Sequence, residues 1–280
     1  MEGGVTVLCP VCDSAEALPY VDFDVLRFDE CTRCGTVYRA HETPDLLPRN
    51  FYEKSYFHGR KSGRDKRFNH RVRKATRQIK TMMRLKPLHT FLDVGCSLGY
   101  VVEAGRQLGL QSAGCDISEY AVETCRARGL RAEVGTLEAL PFSAGEFDGI
   151  TIRHTLEHTP TPKQALAELF RISKPGGLML VMVPDLAYWK GQYRRKTYRY
   201  FRPDDLGQQH YVYYTQSSLT RLLDSSGFRV VASSKAVKPS REGTERGLSA
   251  TLRYRAMVPF VRLGAALRLR RELYLVAERA

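Results

Sequence analysis

Short apolar runs alternate with amphipathic stretches along residues 90–183. Short runs rich in Val, Ile and Leu are typical of buried strands, and apolar positions three and four apart are typical of helices. Strands are expected at residues 90–94, 111–116, 130–134, 147–152 and 178–183, and helices at 100–108, 118–128 and 162–173. This alternation predicts a doubly wound, Rossmann-like α/β sheet that is covered by helices on both faces.

The pattern continues toward the C-terminus with a helix at 215–226 and strands at 227–238 and 272–278. These two strands bring the number of strands expected in the sheet to seven. Residues 241–271 form a basic insert between them, with a helical hairpin expected at 247–271. We expect its apolar face to pack on the sheet edge, and contact with a membrane surface or a partner is the alternative.

Composition is that of a globular protein. The 280 residues are 43% hydrophobic and 26% charged, which excludes wholesale disorder. No apolar run approaches the roughly 20 residues that span a bilayer. The first 30 residues lack the basic start and apolar stretch of a secretory signal, so a cytoplasmic location is expected.

Four of the seven cysteines form one pattern, in which 18 residues separate the pair Cys9 and Cys12 from the pair Cys31 and Cys34. Two C-x2-C pairs are typical of a tetrahedral Zn²⁺ site with four thiolate ligands. Two disulfides are the alternative, which a reducing compartment disfavours. Because protein ligands fill all four positions, the zinc would be structural and would fold a small ribbon, expected at residues 1–48.

Basic residues outnumber acidic ones by 14, and the excess is concentrated. Residues 49–86 contain 14 basic and 2 acidic residues, and residues 190–202 contain 6 basic and no acidic residues. We interpret 49–86 as a basic linker helix before the main domain at 87–280. The distribution indicates an anionic partner, such as a nucleic acid, a phosphorylated substrate or a membrane surface, with solvated helix faces as the alternative.

The first strand of the alternating region ends in a glycine-rich turn, D-V-G-C-S-L-G at residues 93–99. Such a turn is where doubly wound folds bind nucleotides. A dinucleotide fingerprint would need glycines at the positions of Ser97 and Tyr100, so NAD is disfavoured. Asp116 ends the next strand, 21 residues after Gly95, where an acid can bind both ribose hydroxyls.

An ordered set of motifs resembles the class I S-adenosylmethionine (SAM)-dependent methyltransferases, and among them the group with an amino-terminal four-cysteine zinc module. The motifs are LDVGC at 92–96, GCDIS at 114–118, LPF at 140–142, FD at 147–148, LEH at 156–158 and KPGG at 174–177, followed by His210 and the 218–228 segment. The resemblance covers residues 90–235 and implies a seven-stranded sheet with an antiparallel last strand.

The resemblance also implies the SAM-binding residues. Asp93 and Gly95 would hold the methionine end, Asp116 the ribose, Thr136 and Leu137 the adenine edge, and the backbone of Arg153 the sulfonium side. Cys96, Gly99 and Ile117 complete the expected set. Two positions depart from the family pattern: Ser97 replaces a frequent glycine, and Thr136 replaces a frequent acid, for which Glu138 is a possible substitute.

Methyl transfer from an activated sulfonium needs mainly alignment of the acceptor and removal of its proton. The base is expected on a loop at the carboxyl ends of the strands, where His154 and His158 follow the fourth strand and His210 stands before the helix at 215–226. Of these, His210 and then His154 are the candidate bases, with a structural hydrogen-bonding role as the alternative. Residues 185–214 form an expected cap over the site, rich in Tyr and Arg, that would suit a sugar, an aromatic ring, a phosphate or a nucleobase.

These observations favour a SAM-dependent methyltransferase that methylates a hydroxyl of a small or carrier-linked metabolite, with sugars, glycans and natural-product precursors as the leading classes. An RNA methyltransferase is the second hypothesis, based on the basic stretch and the arginine-rich cap. A non-catalytic zinc-bearing binding module is the third.

Overall fold

The computed structural model describes residues 8–40, 51–53, 56–57, 64–187, 196, 201–204, 209–233 and 272–280. Within them, a seven-stranded sheet carries most of the fold and a four-stranded sheet lies at the amino-terminal end. The strands are β1 Ala17–Asp22, β2 Arg27–Cys31, β3 Val37–Arg39, β4 Thr90–Val94, β5 Gln111–Asp116, β6 Arg131–Val134, β7 Phe147–Arg153, β8 Ser173–Pro184, β9 Val212–Tyr213, β10 Phe228–Ser233 and β11 Glu272–Arg279.

Five helices accompany these strands. They are α1 Arg64–Met83, α2 Tyr100–Gln107, α3 Glu119–Arg126, α4 Pro162–Ile172 and α5 Gln216–Ser225. A short 3-10 turn, Leu156–His158, follows β7. None of the described helices is long and apolar enough to cross a membrane.

The large sheet has the order β10-β11-β8-β7-β4-β5-β6. Strands β4 to β8 pair in parallel, and β11 pairs antiparallel with both β8 and β10. This confirms the predicted doubly wound sheet with an antiparallel last strand. Strand β8 starts at Ser173 rather than at residue 178, because Ser173 already pairs with Phe147 before a register shift.

Helices cover both faces of this sheet. On one face, α1 and α2 pack over apolar residues of β4 and β8, and on the other face α4 and α5 pack over the alternate residues. Helix α1 docks through Val72, Ala75, Ile79 and Met82, which are all buried and share one side of the helix. The basic helix is thus fixed against the sheet by a narrow apolar stripe.

The amino-terminal ribbon is tied to the rest of the fold by a strand from the far end of the chain. Its sheet has the order β1-β2-β3-β9, and Val37 of β3 pairs with Tyr213 of β9. The ribbon residues Cys9 and Tyr38 are buried in the same apolar core as the residues of the large sheet. The insert at 241–271 and most of the cap at 185–214 lie outside the described residues.

Candidate functional site

The turn after β4 is built around Gly95. Its φ is +75°, and a Cβ at this position would overlap the side chain of Thr155. Its N–H donates to the Cys115 carbonyl oxygen at 2.8 Å, which holds the turn against the end of β5. Glycine meets both requirements because it has no Cβ.

Asp93 lies beneath this turn and is 3% exposed. The Thr151 hydroxyl donates to its Oδ1 at 2.6 Å. Burial raises the pKa of Asp93 to about 7, while the Arg153 charge and the Thr151 hydrogen bond act in the opposite direction. A cationic group bound beside Asp93 would lower that pKa and keep the carboxylate charged.

Asp116 ends β5 with its carboxylate fixed by the backbone. Oδ2 accepts from the Ser97 N–H at 2.8 Å, and Oδ1 accepts from the Ser118 N–H at 3.0 Å. Burial raises the pKa of Asp116, and these backbone hydrogen bonds oppose the shift. Each oxygen keeps acceptor capacity for a ligand hydroxyl. Ser97 makes its contact from a left-handed conformation, φ +49°, which explains why glycine is frequent at this position in the family.

A cavity of about 720 Å³ lies at the carboxyl edge of the parallel strands and is large enough for a small-molecule ligand. Gly95, Asp116, Ile117, Thr136, Leu137 and Arg153 line it, as the sequence analysis expected for a shared site. Ile117 is 58% exposed, so it offers an apolar surface to a flat ring. Glu138 also lines the cavity, and its Oε1 accepts hydrogen bonds from the hydroxyls of Thr159 and Thr161.

Three residues of the expected cofactor set lie behind the cavity wall. Asp93 is buried as described, and Cys96 is fully buried in a small apolar cluster with Val122 and Cys125. At Gly99, a Cβ would meet the side chains of Leu130 and Cys125 within 3 Å. Cys96 and Gly99 therefore support the turn through helix packing.

Cationic side chains line the same cavity. Arg153 has two buried donor atoms, Nε and Nη1, that find no acceptor among the described residues. Its guanidinium lies 5.6 Å from the centre of the Tyr100 ring, and that of Arg71 lies 5.2 Å from the same ring. Arg71 and Lys74 of α1 are lining residues as well. The cavity can thus bind a carboxylate or another anion.

His154 lines the cavity in a left-handed conformation, φ +53°. Its Nδ1 lies 3.3 Å from Glu157 Oε1, and its Nε2 lies 3.4 Å from Glu272 Oε1. Burial lowers the pKa of His154, but the two carboxylates outweigh it and raise the pKa to about 9. At neutral pH the imidazole is cationic, which suits binding of an anion better than removal of a proton.

His210 is buried, 3% exposed, and lies behind the cavity wall. Burial lowers its pKa well below the ordinary value, and the nearby His158, His154 and Arg39 act in the same direction. His158, by contrast, lines the cavity, and its Nδ1 lies 2.7 Å from the Gln209 carbonyl oxygen. A carbonyl oxygen only accepts, so Nδ1 carries the proton and Nε2 is the basic nitrogen.

Several lining residues were missed by sequence reasoning. Phe51, Tyr52, Tyr56 and Phe57 form a contiguous aromatic cluster, with neighbouring ring centres 5.0 to 5.4 Å apart. The available signal was the density of aromatic residues at 51–57, directly before the basic helix. Burial raises the pKa of the Tyr52 hydroxyl above its usual range, since it lies in this enclosed aromatic wall.

The four amino-terminal cysteines converge on one point. Cys9 and Cys34 Sγ lie 3.6 Å apart, as do Cys12 and Cys31 Sγ, and all four Sγ atoms lie within 4.8 Å of one another. Four thiolates about 2.3 Å from a tetrahedral zinc ion would be about 3.8 Å apart. A disulfide needs about 2.05 Å. The cluster thus fits a metal ion, and left-handed Asp13 and Gly35 close the two cysteine turns.

The glycine turn, the acid after β5 and the cavity beside them define a class I SAM-dependent methyltransferase. The family described as "Methyltransferase domain" matches residues 65–233, and the chain belongs to that family. The match begins at the start of α1, which agrees with the packing of this helix on the sheet.

Curated relatives are similar over part of this chain. A ubiquinone biosynthesis O-methyltransferase from Methylococcus capsulatus is 38% identical over 120 residues, covering 36% of this chain and 51% of the relative. A probable S-adenosylmethionine-dependent methyltransferase from Mycolicibacterium smegmatis is 30% identical over 141 residues, covering 50% of this chain and 51% of the relative. The chain spans about a third to a half of the length of the curated relatives it matches.

Solved structures share the fold. The Burkholderia thailandensis 1,6-didemethyltoxoflavin-N1-methyltransferase, solved with bound 1,6-didemethyltoxoflavin and S-adenosylhomocysteine, has a TM-score of 0.54 at 17% identity. The match covers 95% of this chain and 99% of that chain. Another similar structure is a chain from the complex between the Haloferax volcanii Trm112 methyltransferase activator and the putative methyltransferase. It has a TM-score of 0.53 at 18% identity, and the match covers 77% of this chain and 94% of that chain. These likenesses establish the fold alone.

Proposed function

We propose that this protein transfers the methyl group of SAM to a hydroxyl of a small or carrier-linked metabolite. The observation that carries the proposal is the joint placement of the Gly95 turn, Asp116 and an aromatic, cationic wall around one cavity of about 720 Å³. SAM supplies a methyl group that is already activated by its sulfonium. The chain's own residues therefore need to bind, orient and exclude water.

The cofactor half of the cavity fits SAM. Asp116 offers both carboxylate oxygens to the ribose, and Gly95 lets the turn lie directly against Thr155 at the edge of the cavity. Arg153 has buried donors that suit a carboxylate, and Ile117 and Leu137 offer apolar surface to the adenine. Asp93 lies behind the cavity wall with the Thr151 hydroxyl as its partner, and an ammonium group of the cofactor at this end of the cavity would keep its carboxylate charged.

The other half of the cavity suits the acceptor. Its walls are the aromatic side chains at 51–57 and the cations Arg71 and Lys74 of α1. Stacking and charge together favour an aromatic or otherwise flat acceptor that carries an anionic group. The name of the Methylococcus relative supports a hydroxyl as the methylated group. The candidate group for the acceptor proton is His158, which lines the cavity, whereas the cationic His154 suits an anionic group of the acceptor.

The four-cysteine cluster is proposed to hold one structural Zn²⁺. Support comes from the spacing of the Sγ atoms, which matches a tetrahedral thiolate site. All four ligand positions are filled by protein, so this zinc would stabilise the ribbon and take no part in methyl transfer.

The test of the cofactor proposal is calorimetric. Asp116→Ala should weaken SAM binding by roughly 1.5–3 kcal/mol, the range for losing charged hydrogen bonds. Asp22→Ala, which removes an exposed carboxylate from a surface turn of the ribbon, is the matched control and should bind SAM like the wild type. Equal SAM affinity in the Asp116 and Asp22 variants would contradict the assigned site.

RNA is the second candidate acceptor, and the exposed face of α1 favours it. Arg71, Arg73, Lys74, Arg77 and Lys80 are all exposed on this helix. RNA binding through them should weaken steeply as salt concentration rises. For each phosphate contacted, a tenfold rise in salt should lower the logarithm of the association constant by about 0.7. A labelled-methyl assay on cell extract separates the candidates: label that survives nuclease treatment supports a metabolite, and label lost with RNase supports RNA.

A further inference from the structure

Behind the acceptor end of the cavity lies a second group of metal-ligating side chains, distinct from the cysteines. Glu157, His158 and His210 each offer one ligand atom, and these atoms lie within 4.8 Å of one another. Ligand atoms about 2.1 Å from a shared ion are about 3 to 3.5 Å apart, so small side-chain rotations would close the cluster. The His158 and His210 rings are 4.8 Å apart, centre to centre.

Glu157 is the side chain that most needs an explanation. It is 1% exposed, and neither Oε1 nor Oε2 receives a hydrogen bond from the described residues. The His154 Nδ1 atom lies at ion-pair distance from Oε1 alone, 3.3 Å, and the His154 side chain is itself 37% exposed. A buried carboxylate costs several kcal/mol unless it is well compensated, and a bound cation is a strong compensation.

The histidine geometry points the same way. The Nδ1–H of His158 donates to the Gln209 carbonyl oxygen at 2.7 Å, which leaves Nε2 as the ligand atom. Metal-binding histidines commonly donate their second nitrogen to a backbone carbonyl or a carboxylate, which fixes the ring and its tautomer.

Hydrogen bonds to backbone atoms hold Glu157, His158 and His210 close together. The Tyr211 N–H donates to the Glu157 carbonyl oxygen at 2.8 Å, and His158 contacts Gln209. His210 lies between these two links and is thus held opposite the turn that carries Glu157 and His158. The ribbon fixes this segment from its other side, because the Arg39 N–H donates to the Tyr211 carbonyl oxygen at 2.8 Å.

We propose that Glu157, His158 and His210 form a binding site for one divalent first-row transition metal ion behind the acceptor end of the cavity. Two imidazoles and one carboxylate suit Zn²⁺, Co²⁺ or Fe²⁺, and they suit Mg²⁺ poorly because it prefers oxygen ligands. Three protein ligands leave coordination positions open. His158 lines the cavity, so an acceptor oxygen is the ligand expected there, and a metal-bound hydroxyl loses its proton more readily.

The role in methyl transfer rests on the proposed function, whereas metal binding does not. The experiment therefore measures binding alone, without cofactor or acceptor. The 280-residue chain, carrying one zinc at the cysteines, is titrated with Co²⁺, and binding is monitored by calorimetry and visible absorption. We expect one Co²⁺ per chain with ligand-field bands and without the thiolate charge-transfer band that a cysteine-bound ion would give.

Glu157→Gln keeps the side-chain shape and removes the charge, and it should weaken Co²⁺ binding by at least about tenfold. Glu138→Gln, which removes another carboxylate of the same cavity, is the matched control and should bind Co²⁺ like the wild type. His158→Gln removes a second proposed ligand at a partly exposed position and should show the same loss as Glu157→Gln. Urea unfolding reports whether each variant is folded, and His158→Gln decides the outcome if Glu157→Gln is misfolded.

Three results would overturn the site: Co²⁺ that binds only with thiolate charge transfer, no uptake beyond the zinc, or equal uptake by wild type and the ligand variants. The last result would mean that Glu157 serves as an ion-pair partner for His154. If instead SAM failed to bind while Co²⁺ bound as expected, the proposed function would fail and the metal site would stand.

Discussion

Gly95→Ala tests the cofactor turn most directly, because the cost has two separable parts. The first is the left-handed conformation, φ +75°, which costs a residue with a Cβ about 1–2 kcal/mol. The second is steric: the new Cβ would overlap Thr155 Oγ1 and lie 2.9 Å from its Cγ2. Overpacking of this kind costs about 1–3 kcal/mol, so we expect a loss of about 2–5 kcal/mol in the free energy of unfolding.

Gly109→Ala isolates the cost of the left-handed backbone conformation. Gly109 has φ +81° and open space where a Cβ would be, so its substitution should cost only the conformational strain, about 1–2 kcal/mol. Gly95→Ala combined with Thr155→Ala removes both overlapping atoms and leaves the Thr155 Cβ at 3.1 Å. The double-mutant cycle should therefore show a favourable coupling of about 1–3 kcal/mol.

Urea unfolding measures the stability of four variants, and calorimetry measures their SAM affinity. The variants are Gly95→Ala, Gly109→Ala, Thr155→Ala and the combination of Gly95→Ala with Thr155→Ala. Gly95→Ala should also weaken SAM binding, because relief of the overlap displaces the turn, while Gly109→Ala should bind SAM normally. If Gly95→Ala and Gly109→Ala cost the same free energy, or if the cycle shows no coupling, the close contact between the turn and Thr155 is not what requires glycine.

Two further predictions concern the hydrogen bonds of Asp148 and the attachment of the cysteine ribbon to β9. Burial alone would raise the pKa of Asp148, but hydrogen bonds from Thr90 and Lys174 outweigh it and lower the pKa to about 2. The stabilisation that ionised Asp148 contributes is therefore complete above the ordinary pKa of an aspartate, near 4, and is lost as pH falls through about 2. Asp148→Asn should cost about 1–2 kcal/mol at pH 7 and progressively less below pH 4, by urea unfolding; a cost independent of pH would contradict this. Cys31→Ser should release the metal and accelerate amide hydrogen exchange at Tyr211 and β9, since the ribbon holds that segment; zinc content and exchange equal to those of the wild type would refute the coupling.

Local pattern was enough to predict the strands and helices of the methyltransferase fold. Apolar runs such as those of β4 and β8 are buried on both faces, so their composition alone indicates strands in a parallel sheet. The glycine turn and Asp116 could be predicted for the same reason, because a turn and an acid at strand ends depend on neighbours close in the chain. The paired C-x2-C spacing likewise predicted a cluster that the structure assembles.

The long-range contacts were beyond the reach of such patterns. The charge of residues 49–86 indicates a basic linker helix, whereas the docking of α1 beside the cavity through four small or apolar side chains is a long-range contact. Placement of His158 on the cavity and His210 behind it depends on contacts between segments some fifty residues apart, such as His158 with Gln209.

The sequence by itself determined the elements, the kind of sheet and the glycine turn, since each follows from local patterns along the chain. The tertiary structure alone decided which side chains share the acceptor end of the cavity. It brings the aromatic segment at 51–57, the cations of α1 and the Glu157 turn to one place, and it completes the ribbon sheet with β9. Such encounters are set by packing of distant segments, which the periodicity of a single segment does not encode.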